Sequence, residues 1–319
     1  MKPVLVVGIP RSGTTWVARV VALGTHARYL EEPDNHFRFG FAFRAKSALG
    51  QREYPRLEPG EAPAAARNYA RLWLNALEKP CPGHPAGIRG RIADGLVARA
   101  GPAKVSAAVA GGVTGYGLDT ARRLAVPLRP KAGEGPLIVK SVYAALSVEW
   151  IASRHDVEVV VTTRHPLNIV SSWHELGWLD EPFAEPLSTL DPAMLRSLSA
   201  RFGAPPPPGG SPVGRATWFV GVLGRALDDA VTRNPSWHRL VHEDLCRSPG
   251  EGFHRLAATL GLPWHAAGDR AIDDWNRPGE GYETHRVAAE LADAWESRLS
   301  PRDVEDATAV LDALSGSVR

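Results

Sequence analysis

Features that would assign the chain to a specialised class of protein are scarce in its sequence. The 319 residues include only two cysteines, Cys81 and Cys246, which are too few for a disulfide framework and lack the spacing of metal ligands. The net charge of +2 gives no general attraction to nucleic acid or to a membrane surface. We therefore expect a protein of the reducing cytoplasm that has no nucleic-acid partner.

Long apolar runs are also absent. The chain opens with Met1-Lys2-Pro3 and passes directly into Val4-Leu5-Val6-Val7, and four residues are too few for a signal peptide or a membrane span. We therefore expect a soluble, unexported protein without a transmembrane segment. With 44% hydrophobic and 23% charged residues, the chain has the composition of a globular domain with a sizeable core.

Short apolar runs alternate with helical patterns along the chain. Strands are predicted at 4–7, 27–30, 137–140, 157–163 and 237–242, and helices at 14–23, 64–77, 146–153, 166–173 and 216–232. This alternation predicts the α/β class, with a parallel β-sheet flanked by helices in a single domain over 1–319. An irregular insertion on the acceptor side is expected at about 35–135, because 33–60 has no clean periodicity and 79–135 is rich in glycine, proline and arginine. The proline-rich run 203–212 predicts a surface loop.

One glycine-rich segment lies between the first predicted strand and the first predicted helix. It reads Gly8-Ile9-Pro10-Arg11-Ser12-Gly13-Thr14-Thr15-Trp16. A glycine turn in this place directs backbone N–H groups and the positive end of the helix dipole at one point, where an anion binds. Ser12, Thr14 and Thr15 add hydroxyl groups, and Arg11 adds a forked cation. A tight turn with a good helix cap is the alternative, but the strand–helix context favours a phosphate loop of the P-loop type.

Two residues that nucleotide kinases use are missing here. Their loop has a lysine after the second glycine, and an aspartate on a nearby strand holds magnesium. In this chain Thr14 follows Gly13, and the strand predicted at 157–163 leads into Arg164 without an aspartate. The loop is therefore predicted to bind a phosphate-like group without a metal. A metal-dependent P-loop phosphotransferase, such as a nucleotide or metabolite kinase, is the main alternative.

The segment from Pro10 to Trp16 resembles the 5′-phosphosulfate loop of the sulfotransferase superfamily. Arg164-His165-Pro166 with Ser172 resembles the 3′-phosphate site of that family, in which a serine follows the arginine after eight residues. An arginine fork and a serine two helical turns later can reach one anion, and Ser171 is the alternative serine. The resemblance spans about residues 4 to 300, but only these two motifs are specific. It implies 3′-phosphoadenosine-5′-phosphosulfate (PAPS) as the donor, sulfuryl transfer to a hydroxyl, and no metal.

The same resemblance implies the catalytic residues. Lys140 ends a predicted strand in the place of a family lysine that stabilises charge on the transferring sulfuryl group, a role that Arg11 would share. Val142 stands where the cytosolic branch has its histidine base. The tyrosylprotein branch instead uses the second glutamate of a pair, 21 residues after the loop arginine, and Glu32 occupies that position. Glu31 and His36 are the alternative bases.

Further matches are weaker. Thr284-His285-Arg286 resembles the segment that closes over the nucleotide, and Arg286 is its candidate ligand. The acceptor pocket is expected to use 34–44, Tyr143 and either Trp173 or Trp178, whose aromatic rings favour a small-molecule, sugar or lipid acceptor such as a glycan or secondary metabolite. A homo-oligomer is compatible with the sequence. A nucleotide-binding protein that has lost catalysis is the third interpretation.

Overall fold

Five parallel strands form one sheet in a computed structural model of the chain, which describes residues 1–36, 39–50, 53–78, 133–179, 192–207, 210–278 and 288–316. The strands are β1 (Val4–Gly8), β2 (Arg28–Glu31), β3 (Leu137–Ser141), β4 (Glu158–Thr163) and β5 (His238–Val241). They lie in the order β2-β3-β1-β4-β5, and each neighbouring pair is parallel. The predicted α/β class with a parallel sheet is therefore confirmed.

Helices follow the strands and lie between them along the chain. In chain order they are α1 (Thr14–Gly24), α2 (Gly40–Ala48), α3 (Arg67–Leu77), α4 (Val148–Ala152), α5 (Pro166–Glu175), α6 (Pro192–Phe202), α7 (Pro212–Arg233), α8 (His242–Arg247), α9 (Pro249–Thr259), α10 (Ala266–Trp275), α11 (Trp295–Arg298) and α12 (Pro301–Gly316). Single turns of 3₁₀-helix lie at Ala64–Ala66 and Ala288–Glu290. Within the described ranges, no helix combines the length and apolarity needed to cross a membrane.

The central strand β1 is buried on both faces, as its continuous apolar sequence predicts. Successive side chains of a strand point to opposite faces of the sheet. Leu5 and Val7 accordingly belong to a large core that includes residues of α3, α4, α5 and α7. Val4 and Val6 belong to a second core with residues of α1, α9 and α10. Helices therefore cover both faces of the sheet, and the polar groups at its edge stand on a rigid base.

Some elements differ from the sequence prediction. Helix α2 lies in a stretch where no regular element was expected, because aromatic and basic residues are mixed along it and Lys46 is buried among its apolar neighbours. Helix α6 was not predicted either. The loop expected over 203–212 is shorter, because α7 begins at Pro212. Proline is tolerated at the first position of a helix, since the N–H that it lacks would have no partner within the helix. Most of the irregular segment predicted over 79–135 lies outside the described residues, and the single domain stays a prediction.

Two glycines allow α1 and α10 to cross closely. A Cβ built on Gly268 would lie 2.3 Å from Cζ2 of Trp264 and 2.7 Å from Cα of Gly24. Because Gly24 contributes backbone at this crossing, the clash cannot be relieved by rotating a side chain. We expect Gly268→Ala to lower the free energy of unfolding by about 1–3 kcal/mol, as overpacking does elsewhere.

Urea unfolding followed by circular dichroism measures this change. Gly250→Ala is the matched control, because Gly250 is exposed near the start of α9 and has nothing within 4 Å of an added Cβ. That variant should equal the wild type or exceed it by up to about 1 kcal/mol. Equal stabilities of the two variants would contradict the close crossing.

Candidate active site

The carboxyl ends of the parallel strands meet at one edge of the sheet, where the sequence-predicted residues are brought together. The loop 9–13 follows β1, Glu32 follows β2, Lys140 lies near the end of β3 and Arg164 follows β4. The register pairs Gly8 with Thr162 and Glu31 with Lys140. In open α/β sheets this edge is where ligands bind.

The predicted phosphate loop is a tight turn. The N–H of Ser12 donates to the carbonyl of Ile9 over 2.9 Å, with Pro10 and Arg11 at the central positions of the turn. Proline first and a positive φ second is the type II pattern, and φ of Arg11 is 72°. Gly13 then precedes α1 with φ of 89°. Since glycine has no side chain to cap the helix, the first N–H groups of α1 are left for water or an anion.

Side chains on neighbouring strands fix the loop in place. Ser12 Oγ lies 3.2 Å from Thr162 Oγ1, which in turn donates to the carbonyl of Val7. A Cβ on Gly8 would lie 2.3 Å from Thr162 Oγ1, so only glycine fits there. On the other side of the loop, a Cβ on Gly13 would lie 2.2 Å from the ring of His242. The loop is therefore held on both sides.

Arg164 connects the phosphate loop to a distant part of the chain. Its Nη1 donates to the carbonyl of Arg11 over 2.8 Å, and its Nη2 donates to the carbonyl of Leu291 over 3.4 Å. Its Nε is buried without a hydrogen-bond partner. Burial lowers the pKa of Arg164 to about 10, although the nearby Glu243 carboxylate opposes this. A partly buried cation with one buried, unpartnered donor is a site where an anion would be stabilised.

Ser172, rather than Ser171, is hydrogen-bonded to Arg11. Arg11 Nε donates to Ser172 Oγ over 3.0 Å, whereas Ser171 Oγ donates to the carbonyl of Asn168 within α5. The structure thus brings Arg11, which the motif implies for the 5′-phosphosulfate, against the serine implied for the 3′-phosphate. Thr14 is buried and Thr15 is partly exposed in the first turn of α1. Arg286, with its neighbours Thr284 and His285, lies outside the described residues.

Asn168, which sequence reasoning missed, holds the segment that follows the Arg286 region. Its Nδ2 donates to the carbonyl of Ala292 over 2.7 Å and to Glu243 over 2.9 Å, and its Oδ1 accepts from the N–H of Trp295. The side chain is fully buried. The sequence gives one indication of this role. Asn168 follows Arg164 by four residues, which places it on the first turn of α5.

The two glutamates at the end of β2, Glu31 and Glu32, form ion pairs with different residues. Glu31 forms an ion pair with Arg19 of α1 at 3.0 Å, whereas Glu32 forms one with Lys140. The backbone N–H of Glu32 also donates to the carbonyl of Lys140 over 2.7 Å, and Asn35 Nδ2 donates to Glu32 Oε2 over 2.7 Å. Glu32 therefore lies beside the candidate catalytic lysine, whose side chain is only 3% exposed.

Glu32 occupies a backbone conformation that glutamate rarely adopts. Its φ is 47°, in the left-handed region, and such a residue persists only where its surroundings hold it. The contacts to Lys140 and Asn35 are two of these restraints. Strained residues of this kind cluster at active sites, where the strain is part of positioning a group.

Two further charged side chains, Asp34 and Lys46, are fully buried near Glu32 in the sequence and influence each other's charge. Asp34 Oδ1 and Oδ2 both accept from Ser141 Oγ at 2.8 Å, while Lys46 of α2 donates to the carbonyl of Glu53 over 2.8 Å and lies 4.3 Å from the centre of the Tyr143 ring. Burial raises the pKa of Asp34, and the charge of Lys46 opposes the rise. Burial likewise lowers the pKa of Lys46 to about 8 against the attraction of Asp34.

The aromatic residues expected to form the acceptor pocket are partly used in packing. Tyr143 contacts the rings of His36 and Tyr54 at centroid distances of 5.7 and 5.8 Å. Trp173 is buried and donates to the carbonyl of Pro10 over 3.2 Å, so it supports the phosphate loop. Trp178 packs against Trp173 and stays partly exposed. Tyr143 and Trp178 are thus both partly exposed, whereas Trp173 is committed to the core.

The buried Lys46 gives the stability of the protein a distinctive pH dependence. Its pKa of about 8 in the folded state lies below the ordinary value of 10.5. Between these values the unfolded chain binds a proton that the folded chain does not, so stability increases as pH rises through this window. We expect the free energy of unfolding of the wild type, relative to Lys46→Met, to rise by on the order of 2–3 kcal/mol from pH 7.5 to pH 10.5.

Urea titrations of both proteins at the two pH values measure that difference. The tyrosines titrate in both proteins. Their contribution to the pH dependence of stability is therefore removed when the wild type is compared with Lys46→Met. Parallel pH curves for the two proteins would contradict the low pKa of Lys46.

The sequence matches no protein-family profile and no curated protein. Three solved structures align over almost the whole chain. A sulfotransferase domain from the curacin biosynthetic pathway has 14% identity and a TM-score of 0.45, over 99% of this chain and 98% of its own. Sulfotransferase STF9 from Mycobacterium avium has 14% identity and a TM-score of 0.41, over 98% and 75%. A retinol dehydratase in complex with androsterone and the inactive cofactor PAP has 13% identity and a TM-score of 0.36, over 99% and 81%. The chain is thus similar in structure to sulfotransferases, the superfamily that its two phosphate motifs resemble, at values too low to carry an argument about reaction or ligand.

Proposed function

We propose that the chain is a sulfotransferase that moves a sulfuryl group from PAPS to an acceptor hydroxyl. The observation that carries this proposal is the Glu32–Lys140 pair, which lies at the edge of the sheet that also holds the phosphate loop and Arg164. A carboxylate base, a buried cation and two anion-binding motifs are the groups that sulfuryl transfer needs. No residue in this set requires a metal to act.

The donor fits the charges of the site. The loop amides, with Ser12, Thr14 and Thr15, would hold the 5′-phosphosulfate. Arg164 and Ser172 would hold the 3′-phosphate, with Arg286 as a further candidate. The buried, unpartnered Nε of Arg164 supports this assignment, because such a donor is expected to have a partner in the working state. PAPS supplies the activated sulfuryl group, and the protein supplies its orientation and the charges around it.

The kinase alternative lacks its usual residues. Thr14 occupies the place of the loop lysine, and β4 ends at Thr163 before Arg164, where an aspartate would hold magnesium. In the described part of the chain, no three histidine, cysteine or acidic side chains are grouped as metal ligands would be. A nucleotide whose anionic groups are bound by arginine, lysine, hydroxyl groups and loop amides fits these residues better.

Glu32 is the proposed base. Its carboxylate takes the proton of the acceptor hydroxyl while the hydroxyl oxygen forms a bond to sulfur on the side opposite the leaving group. The bond between sulfur and the bridging oxygen breaks, and its electron pair stays on the 5′-phosphate of the nucleotide product. Arg11, Lys140 and the loop amides stabilise the negative charge that grows on the sulfuryl and bridging oxygens.

The ion pair between Glu32 and Lys140 links these two roles. Lys140 forms an ion pair with one oxygen of the Glu32 carboxylate. When Lys140 turns its charge toward the bridging oxygen, that carboxylate oxygen is released to accept the proton of the hydroxyl. Asn35, which donates to the other carboxylate oxygen, keeps Glu32 in place during this exchange.

The rings of Tyr143 and Trp178 favour an acceptor with an apolar or sugar surface, such as a small secondary metabolite, a glycan or a glycolipid. The paucity of cysteine fits a cytoplasmic enzyme, and a homo-oligomer is compatible with these features. A screen in which only small, fully polar acceptors were sulfated would contradict this choice of acceptor.

Nucleotide binding tests the donor. Isothermal calorimetry should show that 3′-phosphoadenosine-5′-phosphate (PAP) binds more tightly than ATP with magnesium. Arg164→Ala should weaken the binding of PAP by at least about tenfold, because it removes a charge-assisted contact to the 3′-phosphate. Preference for ATP, or a PAP affinity that is unchanged in Arg164→Ala, would contradict the proposal and favour the kinase alternative.

Sulfuryl transfer tests the base. With ³⁵S-labelled PAPS and a panel of phenols, alcohols and sugars, Glu32→Gln should lower kcat by about 10²–10⁴-fold, because the amide cannot take a proton. The affinity for PAP should stay within about twofold of the wild type. Glu31→Gln is the matched control and should keep its activity, since Glu31 pairs with Arg19 instead.

Two results would overturn this assignment. Full activity of Glu32→Gln would remove Glu32 as the base and leave the transfer reaction itself intact. Tight binding of PAP without turnover on any acceptor, water included, would favour the nucleotide-binding protein that has lost catalysis.

A further inference from the structure

Ser141, the residue after Lys140, uses all of its hydrogen-bonding capacity within the protein. Its Oγ accepts from the backbone N–H groups of Tyr143 and Ala144 over 3.1 and 3.2 Å. Its hydroxyl donates to Asp34, whose Oδ1 and Oδ2 both lie 2.8 Å away. A serine hydroxyl has one proton to donate and two lone pairs that accept. Ser141 therefore has no capacity left to bind a substrate, and it acts on the residues that it holds.

Asp34 belongs to a tight turn that begins at Glu32. The N–H of Asn35 donates to the carbonyl of Glu32 over 3.0 Å, with Pro33 and Asp34 at the two central positions. Because proline fixes its own φ, the turn has little freedom. Its first residue, Glu32, has a φ of 47°, a conformation that persists only where the surroundings hold it. A contact that fixes Asp34 therefore also restrains the backbone of Glu32.

The side chains of Lys140 and Ser141 lie on opposite faces of the sheet, because successive side chains of a strand alternate. In β3, Ile138 belongs to the core that contains residues of α1, and Val139 belongs to the large core. Lys140 accordingly lies on the side of Ile138, and Ser141 lies on the side of Val139. The ion pair of Lys140 and the hydrogen bond of Ser141 thus join the segment after β2 to β3 from both faces.

We propose that Asp34 and Ser141 are positioning residues of the transfer reaction, which hold the turn of Glu32 against the strand of Lys140 so that the carboxylate faces the acceptor hydroxyl. This inference rests on the proposed function and adds to it two residues that act through Glu32 rather than on the reacting atoms. Asp34 lies in the range expected to form the acceptor pocket, but it is 0% exposed and cannot line one.

Burial and charge both favour this contact. Asp34 and Ser141 are each 0% exposed, so that water has no access to take the place of either partner. Burial raises the pKa of Asp34, and the charge of Lys46, followed by the hydrogen bond from Ser141, opposes the rise. Since both lone pairs of Ser141 are occupied, its hydroxyl can only donate, and the carboxyl group of Asp34 is the acceptor. Without this donor, Asp34 would lose a hydrogen bond that water cannot replace.

Ser141→Ala tests the role with little disturbance, because it removes a hydroxyl group and no charge. With ³⁵S-labelled PAPS we expect kcat to fall by about 10- to 100-fold, since a displacement of about 1 Å in a catalytic group can cost a factor of this order. The dissociation constant of PAP should stay within about twofold of the wild type, and the number of PAP molecules bound per chain should not change. Ser141→Thr, which keeps the hydroxyl, should recover most of the lost kcat.

Ser147→Ala is the matched control. Ser147 is also a buried serine in the connection that follows β3, and its Oγ lies 3.1 Å from the hydroxyl oxygen of Tyr69 rather than in contact with the turn of Glu32. This variant also loses a buried hydrogen bond, and it should keep the kcat of the wild type. An equal loss of kcat in Ser147→Ala and Ser141→Ala would contradict the positioning role, because loss of any buried hydrogen bond would then have the same effect.

A double-mutant cycle with Glu32→Gln shows whether Ser141 acts through the base. Since Glu32→Gln has already lost the base, adding Ser141→Ala should lower kcat by less than about a further twofold. If the full loss persists in the Glu32→Gln background, Ser141 acts by another route, such as the backbone of Tyr143. The inference then fails, and the proposed sulfotransferase function stands.

Should Ser141→Ala unfold, Asp34→Asn takes its place in both measurements. Asparagine keeps one oxygen that can accept from Ser141 but loses the charge that strengthens the bond. We expect the same pattern as for Ser141→Ala at smaller size, and a kcat equal to that of the wild type would contradict the inference.

Two further results would overturn the inference and can be told apart. An unchanged kcat in a folded Ser141→Ala would remove Asp34 and Ser141 as positioning residues and leave the proposed function intact. If the wild type transfers no sulfuryl group to any acceptor of the panel while its fold is intact by circular dichroism, both the inference and the proposed function fail.

Discussion

The parallel pairing of β1 with both β3 and β4 is the constraint on which the rest of the site depends. It places the ends of three strands side by side, so that the glycine turn lies at one edge with a buried lysine and a partly buried arginine, although more than a hundred residues of sequence separate the turn from both. The strands can take this central position because β1 is apolar on both faces and two helical layers cover it. Without those two cores the polar groups would have no fixed geometry.

Charge is the second constraint. Lys140 and Lys46 are both nearly inaccessible to solvent, and each lies near a carboxylate, Glu32 and Asp34 respectively. Removing one member of such a set leaves a buried charge without compensation, which destabilises a protein more than the intact pair stabilises it. The ion pair with Lys140 restrains the Glu32 carboxylate, and the backbone of Glu32 is held in the left-handed region.

Much of this could be predicted from the sequence, and the limits have physical causes. The strands and the phosphate loop carry local signals, namely β-branched runs and a glycine turn before a helix, and the structure contains both. The spacing of 21 residues from Arg11 favours Glu32 over Glu31 through the family resemblance, but the contact of Glu32 with Lys140 joins residues too distant in sequence to be predicted. Helix α2 gave no periodic signal, since Lys46 lies buried where an apolar residue is expected. The bond between Arg11 and Ser172 joins distant residues, and no local pattern encodes it.

Asn168 and Arg164 tie the candidate site to a segment that comes much later in the sequence. The carbonyls of Leu291 and Ala292, which accept from Arg164 and Asn168, lie 127 and 124 residues further along the chain. A chain cut before Leu291 keeps the glycine loop, Arg164 and Ser172, but Arg164 and Asn168 lose these acceptors. The geometry of this edge of the sheet is therefore sensitive to cleavage in a segment that contains neither phosphate motif.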